Sequence, residues 1–224
     1  MKAAPLTKIT AIVLLLASAT LSAAEDEAWE LRRDRDGIQV FTRSVAGSPF
    51  DAVRTVTHME DVRLASLVAL IEDAEACARW ADRCAESYLV ERISETESLV
   101  YSHNDMPFPI RDRDVLAHVN WMQDPETFAV EMNSVATEGR MAEVRGRLRL
   151  TEAMASWYFR PNADGSVLVS NEAHINPGSA LPGWITNILL VDAPFETMKS
   201  FINEVRKPEY AEAQVGFIRE HPRQ

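Results

Sequence analysis

Between residues 86 and 175 strand candidates follow one another with little between them, and no other feature constrains the fold as strongly. The candidates are 86–93, 98–104, 113–121, 127–135, 144–159 and 167–175. They are rich in β-branched and aromatic residues and bounded by turn formers. Gaps this short allow only antiparallel neighbours, since a parallel pair needs a long crossover. The last gap holds Asp164-Gly165, the strongest short hairpin signal.

Other patterns flank this series. Residues 25–37, "EDEAWELRRDRDG", have helical spacing and a glycine stop, which predicts a helix. "IQVFTRS" and "FDAVRTVTHM" alternate with period 2 and predict two strands. In 60–81, Leu64, Leu67, Leu70 and Ile71 share a helical face. Residues 182–206 predict a long helix, with Trp184, Ile188, Val191, Phe195, Met198, Ile202 and Val205 stepping by fours and threes. Pro194 lies in its middle and removes a backbone donor, so a kink or two abutting helices are expected there. The expected class is α+β, a helix pressed on one face of a curved antiparallel sheet.

Residues 1–24 stand apart. Two lysines precede the apolar run "ITAIVLLLASA", and Ser22 and Ala24 occupy small-residue positions, the pattern of a secretory signal cleaved near Ala24. Residues 25–215 then form one domain and 216–224 a C-terminal tail, in a periplasmic or secreted protein. Without Lys2 and Lys8 the chain has 21 basic and 34 acidic residues, a formal charge of −13. That charge repels phosphate backbones and anionic membranes, which excludes a nucleic-acid binder. Export also bears on Cys77 and Cys84, the two cysteines of the chain. Even count and an oxidising compartment favour a disulfide over two free thiols. Seven residues of continuous helix would hold them too far apart, so a bridge requires a helix end near "RWADRC".

The stretch "PFPIRDRDVLAHVNW" poses a question of its own. In a strand from Arg113, the guanidinium shares a face with Val115, Ala117, Val119 and Trp121. Asp114, Leu116, His118 and Asn120 take the other face. A charge on an apolar face must meet a carboxylate, a ligand head group or water. By the same parity Val130 and Met132 share a face, and Asn171 lies among Val167, Val169, Ala173 and Ile175. Asn171 could fix a head group or be a core asparagine bonded to backbone. Arg145, Arg147 and Arg149 alternate with Val144, Gly146 and Leu148 and are expected to form a solvated face. Trp157 and Phe159 share their parity, so a bulge near 153–155 is expected to swap faces.

Several of these stretches resemble the START (StAR-related lipid-transfer) domain family. "MPFPIRDRDVL" is similar to its proline-rich turn and Arg-Asp strand start. "SWYFRPNADGSVLVSNEAHINPGSALPGWITNILL" is similar to its Trp-x-Phe-x-Pro strand, hairpin, His-x-x-Pro-Gly strand end and Leu-Pro-x-Trp helix. "ACARWADRC" resembles its tryptophan-containing helix. The resemblance implies a helix-grip fold, with a sheet curled around a C-terminal helix and a tunnel for one lipid.

It also implies a buried acid for Arg113 from the preceding strand. That strand offers Tyr101, His103, Asn104 and Asp105, with no glutamate, and the alternative is a rim pair of Arg113 with Asp105 or Asp112. The expected ligand-binding set is Arg113, Tyr101, His103, Val115, Val119, Trp121, Val130, Met132, Asn171, Trp184, Ile188 and Val191. No cofactor and no metal are expected, since His103, His118 and His174 lie on separate strands without ligand spacing. Nucleophile-elbow, zinc-protease, phosphate-loop and dinucleotide motifs are all missing.

The expected function is a monomeric carrier of a lipid or other hydrophobic small molecule, with transient membrane contact. The 136–142 loop, with its exposed Met141, and the C-terminal helix would be the gates. The alternative is a cyclase/aromatase-like enzyme using Tyr101, His103 and Arg113 as acid–base groups.

Overall fold

The computed structural model describes residues 28–178 and 181–222, so the expected leader at 1–24 lies outside the described residues. Ten strands form one antiparallel sheet apart from a short parallel pairing at β8. They are β1 (Glu30–Arg35), β2 (Ile38–Arg43), β3 (Ala52–Met59), β4 (Cys84–Arg92), β5 (Glu97–Asn104), β6 (Arg113–Gln123), β7 (Val130–Ala136), β8 (Leu148–Arg149), β9 (Ala153–Pro161) and β10 (Val167–Ile175). The spatial order is β1-β2-β3-β10-β9-β7-β6-β5-β4, and β8 continues the edge of β6 where β7 ends.

The expected first helix is strand β1. Its glycine is a turn residue: Asp36 and Gly37 both have positive φ, 55° and 75°, as a two-residue hairpin requires. Pairing with β2 from Arg35↔Ile38 to Glu30↔Thr42 overrides the helical spacing. The single strand expected over 144–159 is two. The chain leaves the ladder between Leu148–Arg149 and Ala153–Pro161, so a break, in place of a bulge, changes the parity.

The helical pieces are short until the end of the chain. Helix α1 (Leu64–Glu72) has no capping side chain of its own at Arg63. Its cap is Glu220, whose carboxylate accepts from the Leu64 and Ala65 N–H groups at 3.0 and 2.9 Å. The stretch expected as a tail thus packs on the domain, with Phe217 against Trp121 and Gln123 bonded to Arg219. Helix α2 (Cys77–Trp80) stops between the cysteines, and the Cys77–Cys84 disulfide spans a Cα separation of 6.0 Å.

The C-terminal helix runs from Gly183 to Glu204 in three parts, α3 (Gly183–Asn187), a π turn (Ile188–Asp192) and α4 (Ala193–Glu204). The π turn falls just before Pro194, where the missing N–H cannot complete an α ladder. A last turn, α5 (Pro208–Ala211), brings Tyr210 back to Asp73 and Arg79.

This is the helix-grip fold. Helix α4 lies across the concave face with Phe195, Met198 and Phe201 buried, beside α2 and over β2 and β3. Phe201 stacks on Trp157 at 4.6 Å and meets Trp80 edge-on at 5.3 Å.

Candidate ligand-binding face

Strand register sorts the concave face into rows that fall in size along the strands. The first row is Val130, Phe159, Val169, Thr57 and Ile38, all buried. Next come Trp121, Met132, Trp157, Asn171, Thr55 and Val40. Then the side chains shrink: Ser98, Val119, Ser134, Ala155 and Ala173 form one row, and Val100, Ala117 and Ala136 another. Ser102 and Val115 follow, and Asn104 with Arg113 ends the series.

In these outer rows Val100, Ser102, Val115, Ser134, Ala136, Ala155 and Ala173 are only half-buried. These rows form a curved wall of small, partly accessible side chains.

Arg113 is the polar end of this series. It is 4% exposed. Its Nε and one terminal nitrogen donate to the Pro177 carbonyl at 3.4 Å, and the other terminal nitrogen donates to the Arg111 carbonyl. Burial lowers its pKa, the Arg111 charge lowers it further, and Asp112 opposes both. The group remains a cation. The expected rim pair with Asp105 or Asp112 is absent from its described hydrogen bonds. Asp112 instead accepts from the Met106 N–H and lies 3.1 Å from His103.

The expected ligand residues divide between the two faces. Val115, Val119, Trp121, Val130, Met132 and Asn171 join Arg113 on the concave side. Asn171 donates to the Ser156 carbonyl at 3.0 Å, the backbone-bonded alternative. Ile188 is half-buried, Val191 buried and Trp184 52% exposed on the helix entering that side.

Tyr101 and His103 do not join them. Tyr101 pairs with Leu116 and His103 with Asp114, which puts both on the convex face, away from Arg113. Proximity along the chain suggested them; the β5–β6 register, set by the loop between the strands, decides otherwise.

On that convex face lies a group the sequence reading missed. Asp114 is 0% exposed and accepts two bonds from Arg149, at 3.1 and 3.0 Å, and one from the Tyr101 hydroxyl at 3.0 Å. Arg147 donates to the Tyr101 oxygen at 2.6 Å. Burial raises the Tyr101 pKa, against the Arg147 bond and with the Asp114 bond.

Arg147 and Arg149 therefore belong to a buried network, not to a solvated stripe. Met141 and Val144 fold onto Leu99, Tyr101 and Leu116, so Met141 is not the exposed residue expected. Arg149 also donates to the Met141 and Ala142 carbonyls, which ties the 137–147 loop to the sheet. Parity alone flagged Asp114 as facing away from the core, and nothing in the local sequence announces a second covered face.

A curved sheet gripping a C-terminal helix, with a concave face of small side chains ending at a buried arginine, defines the class. The START domain profile matches residues 12–208, and the chain belongs to the START domain family. An uncharacterised protein of Pseudomonas aeruginosa is 32% identical over 184 residues, 82% of this chain and 89% of that one. Human START domain-containing protein 10 is 20% identical over 160 residues, which cover 71% of this chain but 55% of the human protein. Among solved structures, a STAR-related lipid transfer protein from Xanthomonas axonopodis aligns with a TM-score of 0.72 and 28% identity, covering 80% of this chain and 99% of that one. Human StAR-related lipid transfer protein 5 shares the fold at 14% identity, with a TM-score of 0.71, over 80% of this chain and 86% of the human one.

Proposed function

We propose that this protein is an exported carrier that holds one amphipathic lipid in the hollow between the concave sheet face and the C-terminal helix. The observation that carries the reading is the size gradient of the concave rows, from Trp121, Met132 and Trp157 down to Ala117, Ala136 and Ala155, ending at Arg113. An acyl chain laid along the small residues is driven there by apolar burial, roughly 25 cal/mol per Å² removed from water. Its polar end then meets Arg113, with Asn104 and Ser102 beside it.

Release into a bilayer fits the exposed apolar tip at the same end of the sheet. Phe108 is 94% exposed between two prolines in the β5–β6 loop, and Trp184 opens the C-terminal helix beyond Pro177. Binding, not catalysis, is the role this supports. The cyclase-like alternative relied on Tyr101, His103 and Arg113, and two of these lie on the opposite face.

The test is native mass spectrometry of the protein purified from the cells that make it, beside Ala155→Trp. The wild type is expected to carry one lipid-sized adduct per chain. Ala155→Trp fills the hollow and is expected to arrive empty with its melting temperature retained. An adduct-free wild type that also takes up no lipid from vesicles sinks the reading, as does full occupancy in Ala155→Trp.

A further inference from the structure

The β5–β6 loop begins and ends on groups that converge at one point outside the hollow. His103 is the last but one residue of β5, Asp105 follows the strand, and Asp112 precedes β6. The His103 Nε2 lies 3.1 Å from the Asp112 carboxylate and 3.5 Å from that of Asp105. All three donor atoms lie within 4.8 Å of one another. Two ligand atoms held about 2.0–2.2 Å from one cation at tetrahedral or octahedral angles sit roughly 3.0–3.5 Å apart. Both separations from the His103 Nε2 fall in that range.

The charge balance points the same way. His103 is 9% exposed, and its single Nε2 faces both carboxylates. Among the described residues, the ion pairs that Asp105 and Asp112 make are with His103 alone. Arg83 hydrogen-bonds to Asp82 at 2.9 Å and Arg147 to the Tyr101 hydroxyl at 2.6 Å, and they act on Asp105 and Asp112 through space only.

The surroundings hold the ligands in place as outer-shell groups do in metal sites. The Met106 N–H binds Asp112 Oδ1 at 3.0 Å, which leaves Oδ2 turned toward His103. The Asp105 N–H donates to the Arg83 carbonyl at 2.8 Å. Asp105 is exposed on the outer side, so water can complete the coordination.

We propose that His103, Asp105 and Asp112 bind one divalent cation of the zinc type. One imidazole nitrogen and two carboxylate oxygens suit a borderline d-block ion better than magnesium or calcium, which prefer oxygen. The three ligands come from the two ends of one loop, which is why no spacing within a single element reveals them. The bound ion joins the end of β5 to the start of β6 and fastens the base of the loop that carries Phe108.

The test uses the mature full chain and Zn²⁺ alone, by isothermal titration, with Co²⁺ absorption as the readout of geometry. One Zn²⁺ per chain is expected, with a raised melting temperature, since an ion that binds only the folded state stabilises it. Asp105→Asn is expected to weaken binding at least tenfold while keeping the metal-free melting temperature, because that side chain is 65% exposed. His103→Gln is expected to lose the Co²⁺ ligand-field bands. No binding at millimolar Zn²⁺, or equal binding by wild type and Asp105→Asn, overturns the proposal; the second result would place the ion on another histidine.

Discussion

Arg113 and Asp114 are neighbours in the chain and face opposite sides of the sheet, yet both are buried: the 137–147 loop covers Asp114 on the convex side, and the Pro177 and Arg111 carbonyls hold Arg113 on the concave one. The two charges therefore fail differently when removed. Asp114→Asn strips the carboxylate from Arg149 and is expected to cost about 3–5 kcal/mol of stability, the usual result of breaking a buried pair. In melting temperature that is roughly 6–20 °C for a domain of this size.

Arg113→Met keeps most of the volume and is expected to weaken lipid binding by about 1.5–3 kcal/mol, roughly 10- to 150-fold, with a smaller effect on melting. A melt and a lipid titration on each variant check both; unchanged affinity in Arg113→Met would remove it as the head-group anchor. At this scale the sequence was readable as far as parity reaches. Val115, Val119, Trp121, Val130, Met132 and Asn171 follow from alternation within their strands. Tyr101 depends on which residue of β6 stands opposite, and Asp114 on a loop folding back from thirty residues away. Neither fact is encoded locally.

Elements were legible where a single physical signal dominated. The apolar stripe from Trp184 to Val205 is a helix over nearly its expected length, and Pro194 marks its irregularity as a π turn. Residues 30–35 became a strand because Asp36-Gly37 is a hairpin turn, a signal that competes with the helix stop the same glycine can make. Helix α2 ends at Trp80, as the cysteine spacing demanded, and its disulfide pins α2 to the edge strand β4. In the chain-entropy account so short a closed loop contributes about 2–3 kcal/mol. The Cys77→Ser, Cys84→Ser double variant is expected to melt about 4–12 °C lower than wild type under non-reducing conditions. Two alkylatable thiols in the native, unreduced protein would remove the bridge and this prediction with it.

For the whole molecule, class and architecture were legible because the strand series and the terminal helix left few ways to bury their apolar faces. Sheet order was not, since the pairing of β3 with β10 leaves no mark on either strand. Export is expected from the leader pattern at residues 1–24. The mature form is expected to begin near Glu25, and N-terminal sequencing of the periplasmic fraction checks it. A full-length chain found in the cytoplasm would remove the export reading. The Asp105, Asp112 and Phe108 loop would then face a reducing, metal-buffered milieu instead.

The β3–β10 pairing also sets a schedule. Val53 pairs with Ala173 and Met59 with Val167, so more than a hundred residues of chain separate the partners. When a ribosome has made the first three strands, the inner edge of β3 has nothing to bind and waits for β10, the last strand. Helix α1 waits longer still, for the carboxylate of Glu220. Neither half of this polypeptide can therefore be finished before the other. Until β10 emerges, the nascent chain carries an open β edge, the kind of surface that other chains pair with. Keeping that edge occupied during synthesis falls to whatever holds the unfinished chain.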